Sequence, residues 1–382
     1  MTPVGWRKET DNMRHHRERH WDYRGRGIYH VTLVVAEHYP LFGEIVGDTP
    51  EESTICLSEF GKEVWDIFCG LPQFYAPKGY AIKIIASQIM PDHFHFILQV
   101  LEPMPHSIGT LIRGYKAACT NAYKKQYCSG LKNEPEMQII NSDNDRNRYL
   151  HFDRIFASRG TIWENDIAHY HERILHSPEQ LQPMIDYVKD NPRRLAIKRA
   201  NPELFKIKQQ TKIGDGVYTT LGNMFLAENP MREVLQCSRT MTEEEIEAKK
   251  EACLAEAANG TVYVSAAVSQ GEKQICRALR EAGYPLIVLL EEGFPKPDSP
   301  HYKYFKPSGV YFEACSKELL LLVEPNEEQF ERAEIEAKVY AKAGEIPHSS
   351  KRYRFLALNA LAEEIARGGR ILSQKCDKDA ND

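Results

Sequence analysis

Two histidines one residue apart, His93-Phe94-His95, lie inside the β-rich run 81–100. Side chains alternate across a strand, so residues i and i+2 point the same way and their imidazoles can meet one cation or one phosphate. Phe94, Phe96 and Leu98 then pack the opposite face. A lone His-x-His in a half-buried strand is usually an accident, so the pair gains weight from a second element about ninety residues on. That element is 177–194, read as a helix with Ser177 as cap, Pro178 at the first helical position and Gln180 completing a capping box. Leu181, Met184, Ile185 and Val188 form its apolar stripe. Asn191-Pro192 is expected to stop it. At about 100° per residue, Tyr187 and Asn191 share one flank at the edge of the core. Read alone, Tyr187 is an amphipathic boundary residue; read with the histidines, it is a candidate nucleophile.

Together these residues resemble the HUH-type single-tyrosine transposases, most closely the REP-associated tyrosine transposase group. Three stretches carry the resemblance: Met90-Pro-Asp-His-Phe-His-Phe-Ile-Leu98, Ile162-Trp-Glu-Asn-Asp-Ile-Ala-His-Tyr-His-Glu-Arg-Ile-Leu175 and Ile185-Asp-Tyr-Val-Lys-Asp-Asn-Pro-Arg-Arg194. The match covers roughly residues 28–200. The resemblance implies that His93 and His95 hold a divalent metal against the scissile phosphate and that Tyr187 attacks it. Asn191 would be the third ligand, where many relatives carry glutamine. It also implies a covalent 5′-phosphotyrosine and a released 3′-hydroxyl, with single-stranded or hairpin DNA as partner. A phenol is a poor nucleophile at its reference pKa of about 10 and needs a nearby cation or base. Two imidazoles with oxygen ligands suit Mn²⁺ on softness, while cellular abundance favours Mg²⁺.

The net charge of −5 does not by itself announce a nucleic-acid binder. Its distribution says more. Of the 49 Lys+Arg and 54 Asp+Glu, residues 1–215 hold 28 and 27, leaving 21 and 27 for the rest. Lys189, Arg193, Arg194, Lys198, Arg199, Lys206, Lys208 and Lys212 crowd the segment behind the candidate nucleophile. Such a surface can follow a phosphate backbone, although for any single residue a solvated helix face is as good a reading. A second basic cluster, Arg14 to His20 with Arg24 and Arg26, reads as an arm that can lie along DNA. His169 and His171 repeat the His-x-His spacing outside any long β-rich run and read as a decoy. Nine cysteines without a Cys-x-x-Cys pair signal neither a zinc ribbon nor a disulfide framework. With no apolar run near the ~20 residues of a membrane span and no signal-peptide core, the expectation is a cytoplasmic chain, monomeric or homodimeric.

The elements predict two domains after a basic arm at 1–27. Residues 28–215 read as an α+β, ferredoxin-like HUH domain with helices on one sheet face. Its strands are expected at 28–35, at 80–85 and around the histidines. Its helices are expected from Thr49 through Phe68 and over 107–127, with 129–148 as a loop. Residues 216–382 read as an α/β Rossmann-like parallel-sheet domain, with strands at 232–239, 261–264, 286–290 and 319–323. Helices at 242–258, 271–282 and 355–366 alternate with them. This half resembles the DNA-processing and lysine-decarboxylase-like superfamily. Ser238, Arg239, Ser265, Ser269 and Gly271 in its two post-strand loops form a candidate anion or nucleotide site, with a purely structural turn as the alternative. Neither a P-loop nor a GxGxxG fingerprint is present. Three functions stay open: a metal-dependent DNA strand transferase, a DNA-binding protein of the same fold without chemistry, and a nucleotide or single-strand sensor acting through the second domain.

Overall fold

The computed structural model describes residue 18 and residues 21–128, 143–164, 170–299, 302, 305, 307–340 and 351–367. The chain divides into two compact units, residues 7–197 and residues 198–382. Apart from Glu18, the Arg14–His20 cluster lies outside the described residues, as does His169.

In the first unit, β1 (Gly27–Val34), β4 (Ile82–Ile89), β5 (His93–Val100) and β6 (His171–Ile174) form an antiparallel sheet in the order β4-β5-β1-β6. Alternation divides its residues between two cores. Tyr29, Val31 and Leu33 of β1, with Phe94, Phe96 and Leu98 of β5, face α1 (Glu59–Cys69) and α3 (Ile108–Gln126). On the other face, Ala86 and Ile97 pack beneath α5 (Leu181–Lys189) through Leu181, Met184, Ile185, Tyr187 and Val188. Helices therefore cover both faces rather than one, because Ile28, Ala86 and Ile97 make the second face apolar enough to bury a helix stripe.

Several local expectations change. The stretch after Thr49 is part of a hairpin, β2 (Gly43–Val46) and β3 (Thr54–Leu57), whose β-branched Ile45, Val46, Thr54 and Ile55 favour extended backbone. Helix α1 begins only after Ser58, whose Oγ accepts from the Gly61 N–H. Short helix α2 (Leu71–Tyr75) follows it. Residues 143–148 of the expected loop belong to α4 (Asp143–Arg159), and 129–142 lie outside the described residues. Ser177 and Gln180 make no capping box: Pro178–Gln180 is a 3₁₀ turn, and Gln180 Oε1 accepts from the His176 N–H instead. Asn191-Pro192 does not end helical structure either. It opens α6 (Asn191–Ala200) after a one-residue break at Asp190, since proline is tolerated in a first turn where no N–H partner is needed.

The second unit is a six-stranded mixed sheet in the order β7-β8-β12-β11-β10-β9. Its strands are β7 (Lys208–Ile213), β8 (Gly216–Gly222), β9 (Arg232–Val234), β10 (Val262–Ser265), β11 (Leu286–Leu289) and β12 (Leu320–Pro325). Strands β9 to β12 are parallel and adjacent in chain order, and β8 joins β12 antiparallel. The unit therefore starts near residue 198 rather than 216, because the β7–β8 hairpin completes this sheet. Gly222 makes the join possible: at φ +112°, a Cβ there would lie 2.1 Å from the Leu320 carbonyl oxygen. Helices α7 (Glu243–Ala258), α8 (Gln270–Glu281) and α9 (Gly309–Ser316) connect the parallel strands. Helices α10 (Glu327–Tyr340) and α11 (Lys351–Arg367) pack Phe330, Ala357, Leu358 and Leu361 against Val262, Val264, Ile287 and Val323.

Candidate functional site

The alternation that sends Phe94 and Phe96 into one core turns His93 and His95 to the α5 face, with ring centroids 4.7 Å apart. His93 Nδ1 lies 2.6 Å from Asp92 Oδ1. The other Asp92 oxygen lies 3.3 Å from His38 Nδ1. Burial alone would raise the Asp92 pKa, but hydrogen bonds and charge from His38 and His93 outweigh it and hold the carboxyl well below its usual range. His95 is buried, and its Nδ1 lies 2.8 Å from Thr32 Oγ1 and 3.3 Å from His30 Nε2. His30 stacks on His95 at 5.3 Å and is neutral near pH 7, because burial and then the Arg173 charge push its pKa down to about 4.

Helix α5 brings Tyr187 to this cluster. Its ring sits edge-on to His95 at 5.7 Å and to His30 at 6.1 Å. Burial raises its pKa, and the Arg194 guanidinium, 5.4 Å from the ring centroid, opposes the rise. The structure thus gathers His93, His95 and Tyr187. Asn191 serves the helix junction: its Nδ2 donates to the carbonyls of Tyr187 at 2.8 Å and Val188 at 3.3 Å. That use satisfies carbonyls which a helix end otherwise leaves open.

The histidines suit a cation in one respect. Each has its Nδ1 beside a carboxylate or hydroxyl oxygen, the arrangement that fixes a ligating imidazole and presents Nε2. Among the described residues, no three His, Cys, Asp or Glu side chains are grouped to hold a metal ion. The two imidazoles would leave the rest of a coordination shell to oxygen donors.

The basic segment is less free than its composition suggests. Arg193 and Arg194 both pair with Asp190, at 2.6 and 3.0 Å, and Arg194 is buried. Lys206 and Lys208 both lie near Glu203. Lys189, Arg199 and Lys212 are exposed, and Lys198 is half-buried.

In the second unit, the candidate anion loops are already filled by the chain itself. Glu272 is 1% exposed, and its carboxylate accepts from the Cys237, Val268 and Ser269 N–H groups at 3.0, 2.6 and 3.1 Å. Ser269 Oγ returns a cap to the Glu272 N–H. Ser265 Oγ donates to the Leu235 carbonyl and accepts from Ala267 N–H. A Cβ on Gly271 would press on Cys237 and Ile246 at 3.1 Å, so the glycine serves close packing. Ser238 bonds Thr240, and the Arg239 guanidinium sits 5.5 Å from the Phe355 ring centroid. These N–H groups form the kind of nest that holds a phosphate, with a side-chain carboxylate in the anion's place.

Sequence reasoning missed His30, Thr32, Asp92 and the face of β6. A signal existed for the first two: in 28–35, His30 and Thr32 interrupt Tyr29, Val31 and Leu33 at period two, marking a polar strip opposite the core. His171, read as a decoy, pairs across the sheet with Thr32, in the same row as His95.

No family model matches this chain. A Haemophilus influenzae protein described as uncharacterized is 24% identical over 179 residues, covering 40% of this chain and 92% of its own. Among solved structures, a REP-associated tyrosine transposase bound to a REP hairpin aligns over 46% of this chain and 72% of that one, at 11% identity and a TM-score of 0.22. Among the described residues, no helix is long and apolar enough to cross a membrane.

Proposed function

We propose that the first unit cleaves and rejoins single-stranded DNA through a covalent link between Tyr187 and a 5′ phosphate, with Mg²⁺ or Mn²⁺ held by His93 and His95. The observation that carries this reading is the close approach of the Tyr187 ring to His95, itself 4.7 Å from His93 on one sheet face. The all-antiparallel order β4-β5-β1-β6 supports it, because that is the order of a ferredoxin-like sheet. When bound, the cation would neutralise charge on the phosphate and favour the phenolate.

Asp92 and Thr32 hold the two imidazoles in orientation. Neutral His30 adds no repelling charge beside a cation, and Arg194 opposes the rise in the Tyr187 pKa that burial causes. In the reaction, Tyr187 Oη bonds to phosphorus, the P–O3′ bond breaks, and the proton lost by the phenol is balanced by one gained at the leaving 3′-hydroxyl. One phosphate ester replaces another, so neither ATP nor water is consumed, and attack by a second 3′-hydroxyl completes the transfer.

Burial raises the Tyr187 pKa and so disfavours the phenolate, which favours a second reading, a DNA-binding protein that has lost the chemistry. The carboxylate of Glu272 in the second unit's loops argues against a nucleotide sensor there. The deciding experiment incubates the full chain with 3′-labelled single-stranded and hairpin DNA and resolves it under denaturing conditions. A labelled protein band that needs Mg²⁺ or Mn²⁺ and disappears in Tyr187→Phe is expected. DNA binding without any such band would leave the second reading standing.

A further inference from the structure

Strand register extends the His/Tyr face onto the edge of the sheet. Residues paired across an antiparallel sheet point to the same side, so two rows run over this face. One is Gln88–His95–Thr32–His171, and the next is Ala86–Ile97–His30–Arg173. The last member of each row sits on β6, the edge strand, and both His171 and Arg173 are exposed. Glu172 between them pairs with Val31 and turns to the opposite face, so the exposed side of β6 carries the two nitrogen-bearing side chains without the carboxylate.

We propose that Arg173, with His171 beside it, is a phosphate-binding extension of the Tyr187 site, holding the backbone of single-stranded DNA where it crosses the β6 edge. The proposal rests on the strand-transfer reading and specifies the path of its substrate. Arg173 lies two strands from the His95 strand, about 10 Å at ordinary strand spacing. That is within reach of a phosphate next to the one held beside Tyr187. Arg173 pairs in register with His30, whose ring stacks on His95. Arg193 and Arg194, by contrast, have their guanidiniums engaged by Asp190. An exposed guanidinium on the edge strand gives the planar, two-pronged donor that phosphate oxygens favour.

The test measures binding, not turnover. Full-length protein carrying Tyr187→Phe is titrated against a fluorescein-labelled, mixed-sequence DNA single strand in EDTA, by anisotropy, across a salt series. Adding Arg173→Ala should weaken affinity and make the log-affinity against log-salt slope shallower by about 0.7, the value of one single-strand phosphate contact. Arg173→Lys should keep the slope, and Glu172→Gln, on the other face, should not make it shallower. A slope in Arg173→Ala parallel to that of its Tyr187→Phe parent overturns the proposal while leaving the strand-transfer reading intact. If the parent binds no single strand at all, the DNA reading falls and this path falls with it.

Discussion

His30 makes the site's electrostatics measurable through stability. Its pKa is about 4 in the folded protein against an ordinary 6.5, first because of burial and then because of Arg173. Between those values, the unfolded chain binds a proton that the folded chain does not. Stability therefore rises with pH through this window: the contribution is fully present above pH 6.5 and is lost as pH falls toward 4. At 1.36 kcal/mol per pKa unit, the gap of roughly 2.5 units amounts to about 3 kcal/mol. In His30→Phe the ring stays and the titration goes, so the difference in unfolding free energy between parent and variant should change by most of that amount between pH 7 and pH 4. Urea unfolding at a series of pH values, followed by tryptophan fluorescence, measures it. Three of the four tryptophans, Trp21, Trp65 and Trp163, lie in the first unit, so the signal reports mainly on the unit that contains His30. Parallel stability–pH curves for parent and variant would mean that His30 is charged or solvated in the fold, and the neutral-imidazole argument would fail.

Glu272→Ala should destabilise the second unit by about 3–5 kcal/mol, because three N–H groups, two of them buried, lose their acceptor; added sulfate should recover part of this if the carboxylate stands in an anion's place, and a loss under about 1 kcal/mol in denaturant melts would contradict the account. Thr32→Val removes the hydroxyl beside His95 Nδ1 with little change of shape, and should weaken Mn²⁺ binding about 10–100-fold by calorimetry while the first unit stays folded. His93→Ala or His95→Ala should abolish that binding, and unchanged Mn²⁺ affinity in either would make these rings core residues only.

The legible parts of this chain were those written in period and spacing. Alternation fixed which face of 93–100 carries the histidines, and the stripe Leu181–Met184–Ile185–Val188 did pack a core with Tyr187 at its edge. What stayed hidden depended on partners far away in sequence. Whether Thr49 opens a helix or a hairpin turns on the pairing of Ile45 with Ile55. The place of residues 198–215 turns on a strand, β12, more than a hundred residues later. Asn191 offered an amide at ligand-like spacing, and the break at Asp190 lets its Nδ2 donate to the α5 carbonyls as well, a contact local propensity does not encode. His171 and Arg173 became visible only through register with β1.

The central claim is that Tyr187 becomes joined to DNA, and the chain's own cleavage map allows a direct reading. Trypsin cutting after Arg173 and Lys189 releases peptide 174–189, which holds Tyr187 as its sole tyrosine, while Tyr170 falls in peptide 160–173. After reaction with single-stranded DNA and Mn²⁺, nuclease trimming and trypsin, fragmentation mass spectrometry should find a nucleotide phosphate on Tyr187 in peptide 174–189. The same phosphate on Tyr170, or an adduct undiminished in Tyr187→Phe, would contradict the account.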